Sequence, residues 1–347
     1  MVPLLNAFYI DLGIDLGTAN TVVFAKKKGF IINEASCIAL NEDSKPVAFG
    51  NEAKKMMGKT TSDIRVIRPL KDGVISDFEA GDELIQGLIR AAKIPRYRIG
   101  RVVMGIPTGV TEVEKKAMIY SAKAAGAKEV YLIAEPMAAA IGLDLDVKGD
   151  QANMIVDIGG GTTDIAVINY GGIVVDNTIR IAGDELNQRI MNFFRMKYRI
   201  RIGELTAEKL KIQYATLLNE SGHKTFTIRF LNQISGSMQT YKFPFSLFRE
   251  AFREEINSII TAILHVLETL PPELTSDIID RGIILTGGGS LLKGLDTLIL
   301  EKTELHVTIP DNPLLSVAMG IKTILEDFNY YRDILMRGQI RKSSIFA

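Results

Sequence analysis

The sequence predicts an α/β protein in which two similar domains face a shared cleft. Short apolar runs that end in glycines alternate with helical patterns along the chain, and one strand–turn–strand template occurs in both halves. A chain of 347 residues, of which 47% are hydrophobic, is long enough for two cores. We therefore expect two domains of related architecture.

The predicted strands end where ligands bind in this class of fold. They are the runs 101–107 (RVVMGIP), 154–161 (MIVDIGGG) and 282–289 (GIILTGGG), and helical patterns cover 111–127 and 245–270. In open α/β sheets, ligands bind beyond the carboxyl ends of the strands. The glycines that close these runs therefore indicate the functional site.

A repeated stretch carries the strongest signal. Residues 13–24 (GIDLGTANTVVF) and 155–168 (IVDIGGGTTDIAVI) share an apolar strand, an aspartate, a glycine turn, a threonine and a second β-branched strand. Asp15 and Asp157 occupy equivalent positions in the two copies. Asp11 stands in a similar Asp-Leu-Gly but lacks the turn that follows, so we expect it only at the start of the strand.

Two glycine hairpins of this kind predict a phosphate site with a divalent cation. Glycine lets the backbone approach a ligand closely and turn several N–H donors toward it, which suits phosphate. Facing hairpins can therefore clamp an oligophosphate. Asp15 and Asp157 supply hard anionic oxygens, which suit a Mg²⁺ ion that keeps several of its waters. One cysteine and three scattered histidines do not predict a His/Cys metal site.

The stretch 133–145 (IAEPMAAAIGLDL) places a carboxylate where a strand meets a helix. Glu135 ends the predicted strand, and Pro136 begins the helix. The positive end of a helix favours the ionised form, so we expect Glu135 to be charged at pH 7 and to polarise a water molecule. A simple N-terminal charge on an alanine-rich helix is the alternative.

Two further stretches are candidates for contact with a nucleoside. Residues 285–295 (LTGGGSLLKGL) fit neither G-x-G-x-x-G nor the P-loop, yet their glycine turn can bring backbone amides to an adenosine or a phosphate. Residues 202–215 (IGELTAEKLKIQYA) predict a helix with Thr206 as its N-cap. Glu208 and Lys211 share one face of that helix, and a surface ion pair is the alternative to ligand binding.

Charge and composition exclude other classes of protein. The 41 basic and 41 acidic residues balance, which does not favour nucleic acid as a partner. A single cysteine, Cys37, suits a reducing compartment. No uncharged apolar run reaches the length of about 20 residues that a membrane-spanning helix needs. We therefore expect a cytoplasmic protein.

Together these stretches resemble the actin, Hsp70 and sugar-kinase superfamily, and most closely the MreB family of bacterial actin homologues. The resemblance runs from GIDLGTANT through EPMAAAIG, VDIGGGTTD, RIAGDELN and IGELTAEKLKI to GIILTGGGSLLKGLDTLI. It implies an actin-like ATPase fold, with two RNase H-like domains, each carrying a small subdomain, around a nucleotide cleft. The implied boundaries are 1–35, 70–150 and 319–347 for the first large domain (IA), 36–69 for its small subdomain (IB), 151–185 and 250–318 for the second large domain (IIA) and 186–249 for its small subdomain (IIB).

The resemblance also implies roles for individual residues. Asp15 and Asp157 would hold Mg²⁺ through water, Glu135 and Thr162 would position the attacking water, and these four form the implied catalytic set. The residues implied around the phosphates of ATP or ADP are Gly17, Thr18, Ala19, Asn20, Gly159, Gly160, Gly161, Thr162 and Thr163. Those implied around the adenosine are Gly183, Glu208, Lys211, Gly287, Gly288 and Gly289.

The implied function is ATP-dependent polymerisation into membrane-associated filaments that determine or maintain cell shape, with slow hydrolysis of ATP to ADP and phosphate. The implied partners are further copies of the chain in paired protofilaments, an anionic membrane surface and transmembrane cell-shape proteins. An Hsp70-like chaperone ATPase and a sugar-kinase-like phosphotransferase are the alternatives. A chaperone would need a further peptide-binding module, and a kinase would need a base beside a substrate hydroxyl, whereas Glu135 suits water.

Three stretches, 1–10, 94–101 and 329–347, are candidates for contact with the inner face of the cell membrane. Basic residues beside aromatic ones suit anionic lipid, and each cation contributes about 1 kcal/mol near such a surface. The amino-terminal residues are too few for a long amphipathic helix but could insert shallowly. For the stretch 329–347, an ordinary solvated tail is the alternative. The candidate membrane residues are Leu4, Leu5, Phe8, Arg96, Tyr97, Arg98, Arg337, Arg341 and Lys342.

Overall fold

The computed structural model describes residues 8–219, 224–231 and 237–338. Its strands are β1 (Ile10–Leu16), β2 (Asn20–Ala25), β3 (Gly29–Ala35), β4 (Ile38–Asn41), β5 (Pro46–Phe49), β6 (Ile64–Ile67), β7 (Leu70–Lys71), β8 (Val74–Ile75), β9 (Ile99–Ile106), β10 (Glu129–Ala134), β11 (Asn153–Ile158), β12 (Thr163–Asn169), β13 (Gly172–Ile179), β14 (Thr225–Leu231), β15 (Met238–Pro244), β16 (Ile283–Thr286), β17 (Val307–Thr308) and β18 (Met336–Arg337). Its α-helices are α1 (Gly50–Met56), α2 (Phe78–Ala91), α3 (Glu112–Ala124), α4 (Glu135–Gly142), α5 (Gly183–Tyr198), α6 (Glu204–Tyr214), α7 (Leu247–Ala251), α8 (Arg253–Glu268), α9 (Pro272–Arg281), α10 (Leu295–Thr303), α11 (Ser316–Glu326) and α12 (Phe328–Tyr331).

Two large sheets share one internal arrangement. The strand order is β18-β10-β9-β1-β2-β3 in the first sheet and β13-β12-β11-β16-β17 in the second. Each contains an antiparallel meander, β1–β2–β3 or β11–β12–β13, whose first strand also pairs in parallel with a later strand, β9 or β16. The repeat in the sequence is therefore a repeat in the structure, with Asp15 on β1 and Asp157 on β11.

Helices α4 and α11 form the layer between the two sheets. Alternate residues of β9 face opposite sides, so that Val102 packs with α2 and α3 while Val103 packs with α4 and α11. Ile155 of the second sheet joins the same central cluster. Gly142 and Gly320 lie where the two helices meet, and a side chain on either would collide with the backbone of the other helix. This close packing brings the first strands of the two meanders, β1 and β11, close together.

Two small sheets lie beside the large ones. Strands β4, β5 and β6 pack with α1 around Ala39 and Ala53. The β14–β15 hairpin packs through Phe226 and Phe243 against the apolar cluster that covers the outer face of the second large sheet, together with α5 and α8. The strands of both small sheets and α1 lie inside the ranges expected for the two small subdomains, whose boundaries stay a prediction.

The helical patterns differ in detail from what the sequence predicted. The pattern at 111–127 forms α3, which begins after Thr111 in a capping box with Glu114. The pattern at 245–270 is divided into α7 and α8, because Phe252 leaves the helical conformation between them. Among the described residues, no helix combines the length and the apolar character that crossing a bilayer requires.

The start of α6 was predicted wrongly. Thr206 lies inside the first turn and is not the N-cap, because the helix begins at Glu204 after the extended residue Gly203. No side chain caps this end. Glycine is acceptable at that position, whereas the sequence pattern favoured the nearest threonine.

Candidate functional site

The two predicted hairpin turns face each other and touch. A Cβ built on Gly160 would lie 3.0 Å from the backbone nitrogen of Ala19, and one built on Gly161 would lie 2.7 Å from Thr18 Oγ1. Glycine alone permits the two backbones to come this close. The turn after β1 and the turn after β11 therefore form opposite walls of one narrow cleft.

A third turn, which the sequence analysis missed, borders the same cleft. In the β7–β8 turn, Gly73 N donates a hydrogen bond to Thr18 Oγ1 at 2.8 Å. A Cβ built on Gly161 would lie 2.8 Å from Asp72 N. The signal was present in the sequence, because an Asp-Gly pair between two apolar runs is typical of a tight hairpin.

Asp15 and Asp157 lie where β1 and β11 reach these turns. Burial raises the pKa of Asp15 to about 7. Burial, followed by the charges of Asp164 and Asp15, raises the pKa of Asp157 to about 8. Within the described ranges, neither carboxylate is ion-paired with a lysine or an arginine. The site thus concentrates negative charge that a bound cation would offset.

The two carboxylates fit a magnesium ion that keeps most of its waters. The part of the chain that the structure describes contains no group of three or more His, Cys, Asp or Glu side chains that could hold a metal. Mg²⁺ commonly binds through one or two carboxylates together with water and substrate phosphates. Two carboxylates beside two glycine turns are a suitable donor set for that mode of binding.

Asp11 lies near the opposite end of β1 and has another partner. Its Oδ1 accepts a hydrogen bond from Arg101 N at 2.9 Å, and its Oδ2 lies 3.2 Å from Arg101 Nη2. Asp11 therefore fastens β1 to β9. Asp15 is the aspartate at the cleft, as the repeat predicted.

Glu135 lies among these carboxylates, as the first residue of α4 at the carboxyl end of β10. Burial raises its pKa well above the usual value, and the charges of Asp164, Asp15 and Asp157 raise it further. The expectation that the helix N-terminus decides the ionisation of Glu135 is therefore wrong in direction. A helix end contributes about 1 kcal/mol, which burial and three carboxylates outweigh.

Thr162 and Thr163 point in different directions. Thr162 Oγ1 lies 3.5 Å from a Cβ built on Gly73, so its hydroxyl faces the β7–β8 turn. Thr163 is fully buried and donates to Ile181 O at 2.6 Å, so only its backbone can reach a ligand. Asp164 follows Thr163 directly and lies beside the same turn, but the sequence pattern did not indicate it as a site residue.

Gly183 and Lys211 lie behind the second hairpin turn. Gly183 N donates to Gly159 O at 3.2 Å, which fixes the start of α5 to this turn. Lys211 Nζ donates to Gly183 O instead of pairing with Glu208 at the surface. Burial lowers the pKa of Lys211 to about 8. These contacts place α5 and α6 on one side of the cleft.

Ion pairs that the sequence did not predict cross the mouth of the cleft. Lys54 of α1 lies 2.8 Å from Glu208 of α6. Arg68, just after β6, lies 3.1 Å from Asp184 at the start of α5 and 2.6 Å from Glu204 at the start of α6. The partners are more than 100 residues apart in sequence, so no local pattern could reveal them.

The turn after β16 packs against the end of β11. Gly287 has a φ of +76° and lies against Asp157 Oδ1 and Ile158 O, where a side chain would collide. Gly289 rests on the side chain of Ile158, and Gly288–Leu291 form a short 3-10 helix. This glycine turn therefore borders the site from the second sheet, as the sequence predicted.

The described membrane candidates lie at the opposite end of the six-stranded sheet. Phe8 precedes β1, Tyr97 and Arg98 precede β9, and Arg337 ends β18, which runs antiparallel to β10. The rings of Phe8 and Tyr97 lie 6.0 Å apart, and Arg98 Nε donates to Phe8 O at 3.1 Å. The candidates outside the described residues are Leu4, Leu5, Arg341 and Lys342.

Comparison with known proteins identifies the family. Residues 9–333 match the family model described as MreB/Mbl protein. The chain is 43% identical over 324 residues to the cell shape-determining protein Mbl of Bacillus subtilis, covering 93% of this chain and 97% of the relative. It is 41% identical over 326 residues to the cell shape-determining protein MreB of Escherichia coli, covering 92% and 94%.

A solved structure shows the same fold. The crystal structure of MreB5 of Spiroplasma citri bound to ADP matches with a TM-score of 0.88 and 33% identity, over 94% of this chain and 98% of that one. The actin-like α/β fold predicted from the sequence is thereby confirmed. The chain belongs to the MreB/Mbl family of bacterial actins and is a cytoskeletal protein of that family.

Proposed function

We propose that the protein binds ATP with Mg²⁺ in the cleft between its two large sheets and hydrolyses it slowly as it forms filaments that determine cell shape. The observation that carries the proposal is the contact between two glycine turns, each following a strand that bears an aspartate at the cleft. The nucleotide finds support in MreB5 of Spiroplasma citri, whose structures are described as bound to ADP and to AMPPNP. The role in cell shape finds support in the names of the curated relatives.

In this proposal the backbone N–H groups of both glycine turns bind the phosphates of ATP. Residues 17–20 and 159–161 form the two walls, where glycine allows a ligand to approach the backbone closely, although Gly159 N itself donates to Thr162 O at 2.9 Å. Asp15 and Asp157 would hold Mg²⁺ through its waters. The ion, when bound, offsets negative charge on the phosphate oxygens. The proposed adenosine contacts are Gly183, Glu208, Lys211, Gly287, Gly288 and Gly289.

For hydrolysis, a water molecule attacks the terminal phosphorus. A new oxygen–phosphorus bond forms, the bond from that phosphorus to the bridging oxygen breaks, and ADP leaves with the bond's electron pair. In its ionised form Glu135 orients the water and accepts its proton, and the raised pKa makes that carboxylate a stronger base than an ordinary one. Thr162 supplies a second contact to the water from the opposite hairpin.

Self-assembly is proposed from membership of the family. Among the described residues, the second half of the molecule exposes several large apolar side chains that neighbouring copies would cover. Those more than half exposed include Met196, Ile212, Met238, Ile279, Leu291 and Leu314. Paired protofilaments are the expected form, and transmembrane cell-shape proteins are proposed as further partners.

Attachment to the inner face of the cell membrane is proposed through the end of the first sheet that lies away from the cleft. Phe8 and Tyr97 are 46% and 68% exposed there, which makes shallow insertion of both rings feasible. Lys128, at the start of β10, adds a cation over the ring of Tyr9. Aromatic rings interleaved with cations suit an anionic lipid surface. The alternative of an ordinary solvated tail for 329–347 does not fit its described part, because Phe328–Tyr331 form α12 and Met336–Arg337 pair with β10, while residues 339–347 lie outside the described ranges.

The chaperone and sugar-kinase alternatives are not favoured. The curated relatives at 41% and 43% identity, both cell shape-determining proteins, are matched over more than nine tenths of their own length. Electron microscopy of the purified protein with and without ATP, combined with a phosphate-release assay, tests the proposal. We expect filaments and slow phosphate release with ATP and Mg²⁺, and neither from the Asp157→Ala variant. Wild-type protein that neither assembles nor releases phosphate would contradict it.

A further inference from the structure

Leu314 is an exposed leucine in a turn whose backbone is firmly held. It is 58% exposed, whereas the preceding Pro313 is buried. Pro313 O accepts hydrogen bonds from Gly287 N at 3.1 Å and from Thr286 Oγ1 at 3.2 Å. These two bonds fix the short 3-10 helix Pro313–Leu315 to the end of β16. The anchored backbone of the turn therefore keeps the Leu314 side chain at the surface.

One methyl group of Leu314 touches the glycine turn that borders the cleft. A Cβ built on Gly288 would lie 3.1 Å from Leu314 Cδ2, and a side chain on the neighbouring Gly287 would collide with Asp157 Oδ1. Since consecutive Cα atoms are about 3.8 Å apart, the methyl group and the carboxylate lie within roughly 12 Å of each other. The ribose and phosphates of one nucleotide can span this distance. A nucleotide whose phosphates lie near Asp157 can therefore bring its base to Leu314.

The residues proposed to contact adenosine form one continuous wall that ends at this turn. Lys211 of α6 donates a hydrogen bond to Gly183 O at the start of α5. Just after α6, Thr216 pairs with Lys293 in a parallel bridge, which joins α6 to the segment that follows the glycine turn. The wall therefore runs from α5 through α6 to the turn that Leu314 touches.

This wall contains no large apolar side chain of its own. Its proposed members are Gly183, Glu208, Lys211, Gly287, Gly288 and Gly289, which offer backbone groups and two charged side chains. Sites for small organic ligands are lined mainly by apolar side chains, with a few polar groups that fix orientation. A base has two flat apolar faces, which pack well on such side chains. Leu314 supplies the apolar surface that the proposed set lacks.

We propose that Leu314 packs against a face of the base of bound ATP or ADP and contributes to the affinity for both. This inference rests on the proposed function, because it assumes that the phosphates bind at the two hairpin turns. The turn that carries Leu314 leads directly into α11 of the central layer. A bound base would therefore touch the segment of chain that joins the second sheet to that layer.

A neighbouring copy in a filament is the other occupant that could cover Leu314. In that case, shortening the side chain would weaken assembly and leave the nucleotide affinity of unassembled protein unchanged. Contact with the base predicts that the affinity of unassembled protein falls. The two occupants are therefore distinguished by measuring nucleotide binding below the protein concentration at which filaments form.

The experiment uses ethenoadenosine diphosphate, a fluorescent ADP analogue, with Mg²⁺ and unassembled protein. Titration gives the affinity, and quenching of the bound analogue by acrylamide gives the exposure of its base to solvent. Leu314→Ala should lower the affinity about fivefold and raise the quenching constant about twofold, because apolar surface that covers the base is lost. Leu314→Met keeps an apolar side chain of similar volume and should stay within about twofold of wild type in affinity. Leu300→Ala, at an exposed leucine of α10, is the matched control.

Each outcome decides the proposal. Unchanged affinity in Leu314→Ala overturns it, and so does a lower affinity with unchanged quenching, because Leu314 would then act without touching the base. If Leu314→Ala does not fold, Leu314→Gln makes the same comparison with a polar side chain of similar length. Wild-type protein that does not bind the analogue contradicts the proposed nucleotide site itself, whereas normal binding by wild type and by the Leu314 variants contradicts only the role of Leu314.

Discussion

Lys54 and Glu208 form an ion pair of 2.8 Å that joins α1 on one side of the cleft to α6 on the other. Glu208 is also among the residues proposed to contact adenosine. The two side chains are 28% and 24% exposed, so the pair is partly shielded from water. Together with the contacts of Arg68, it forms a clasp across the cleft in which nucleotide is proposed to bind.

Removing the lysine of this clasp should speed nucleotide release. Lys54→Met should raise the dissociation rate of a fluorescent ADP analogue by up to about fivefold, because a partly exposed ion pair contributes up to about 1 kcal/mol. Stopped-flow fluorescence measures this rate. Lys55→Met, on the exposed side of the same helix, is the matched control. Equal rates for the two variants would show that the clasp does not gate the cleft.

Binding of ATP should depend on Asp157 in a manner that requires Mg²⁺. With Mg²⁺ present, Asp157→Ala should weaken ATP binding by at least about tenfold, because one of two carboxylates that hold the hydrated ion is lost. In EDTA the two proteins should bind ATP with similar affinity. Calorimetry measures both conditions, and Asp176→Ala serves as the control. Unchanged affinity in Mg²⁺ would remove the basis for the metal site.

Glu135 should matter for turnover and not for binding. Glu135→Ala should lower phosphate release by about 10²-fold or more, in the range of general-base loss, while ATP still binds. Single-turnover phosphate release and calorimetry separate the two effects. Glu301→Ala, an exposed glutamate of α10, should leave both unchanged. Normal phosphate release from the Glu135 variant would end the proposed role of this residue.

The buried carboxylates predict that stability falls as pH rises. In the folded protein the pKa of Asp15 is about 7 and that of Asp157 about 8, against a usual value of 3.8. Between the usual and the raised values the folded state binds more protons than the unfolded chain, so the free energy of unfolding decreases with rising pH. In EDTA, the melting temperature should therefore fall as the pH rises from about 4 to about 8, and this contribution should level off above that range.

Two variants test the origin of this pH dependence. Asp157→Asn cannot ionise, so its melting temperature should fall less steeply over the same range. Asp176→Asn, whose aspartate is exposed, should keep the wild-type slope. A wild-type melting temperature that stays constant or rises across this range would contradict the assigned pKa values.

Membrane binding should depend on charge and on assembly. Co-sedimentation with liposomes should require anionic lipid, decrease at high salt and increase when ATP drives polymerisation, because a filament presents the same weak contact many times. Arg98→Glu should reduce binding more than Arg229→Glu on β14. Equal pelleting with neutral lipid at high salt would favour shallow insertion of Leu4, Leu5 and Phe8. No pelleting under any condition would contradict membrane attachment.

The sequence predicted features whose cause is local. The two hairpins were found because a strand, an aspartate and a glycine turn follow one another along the chain, so residues 13–24 and 155–168 reveal them directly. Their contact through Gly160 and Ala19 followed from the repeat, since equivalent elements of similar domains face a common cleft.

Features that depend on distant parts of the chain were not predictable in this way. Thr108 and Asp164 come into contact only after the two sheets have packed on α4 and α11. No sequence pattern near either residue predicts this contact. The raised pKa of Glu135 was unpredictable for the same reason. The adjacent helix end was visible in the sequence, whereas burial, the largest cause of the raised pKa, and the three carboxylates that raise it further depend on how other strands pack around Glu135.

Strands β1, β9 and β10 run parallel, so their amino ends lie together at the aromatic and basic surface and their carboxyl ends together at the cleft. β9 has eight residues, which separates the two ends by roughly 25 Å. A copy that rests on a lipid surface through Phe8 and Tyr97 would hold its cleft well above that surface. Nucleotide could then exchange with the bulk solution while the protein stays attached. A membrane-bound filament could therefore replace ADP with ATP without leaving the surface.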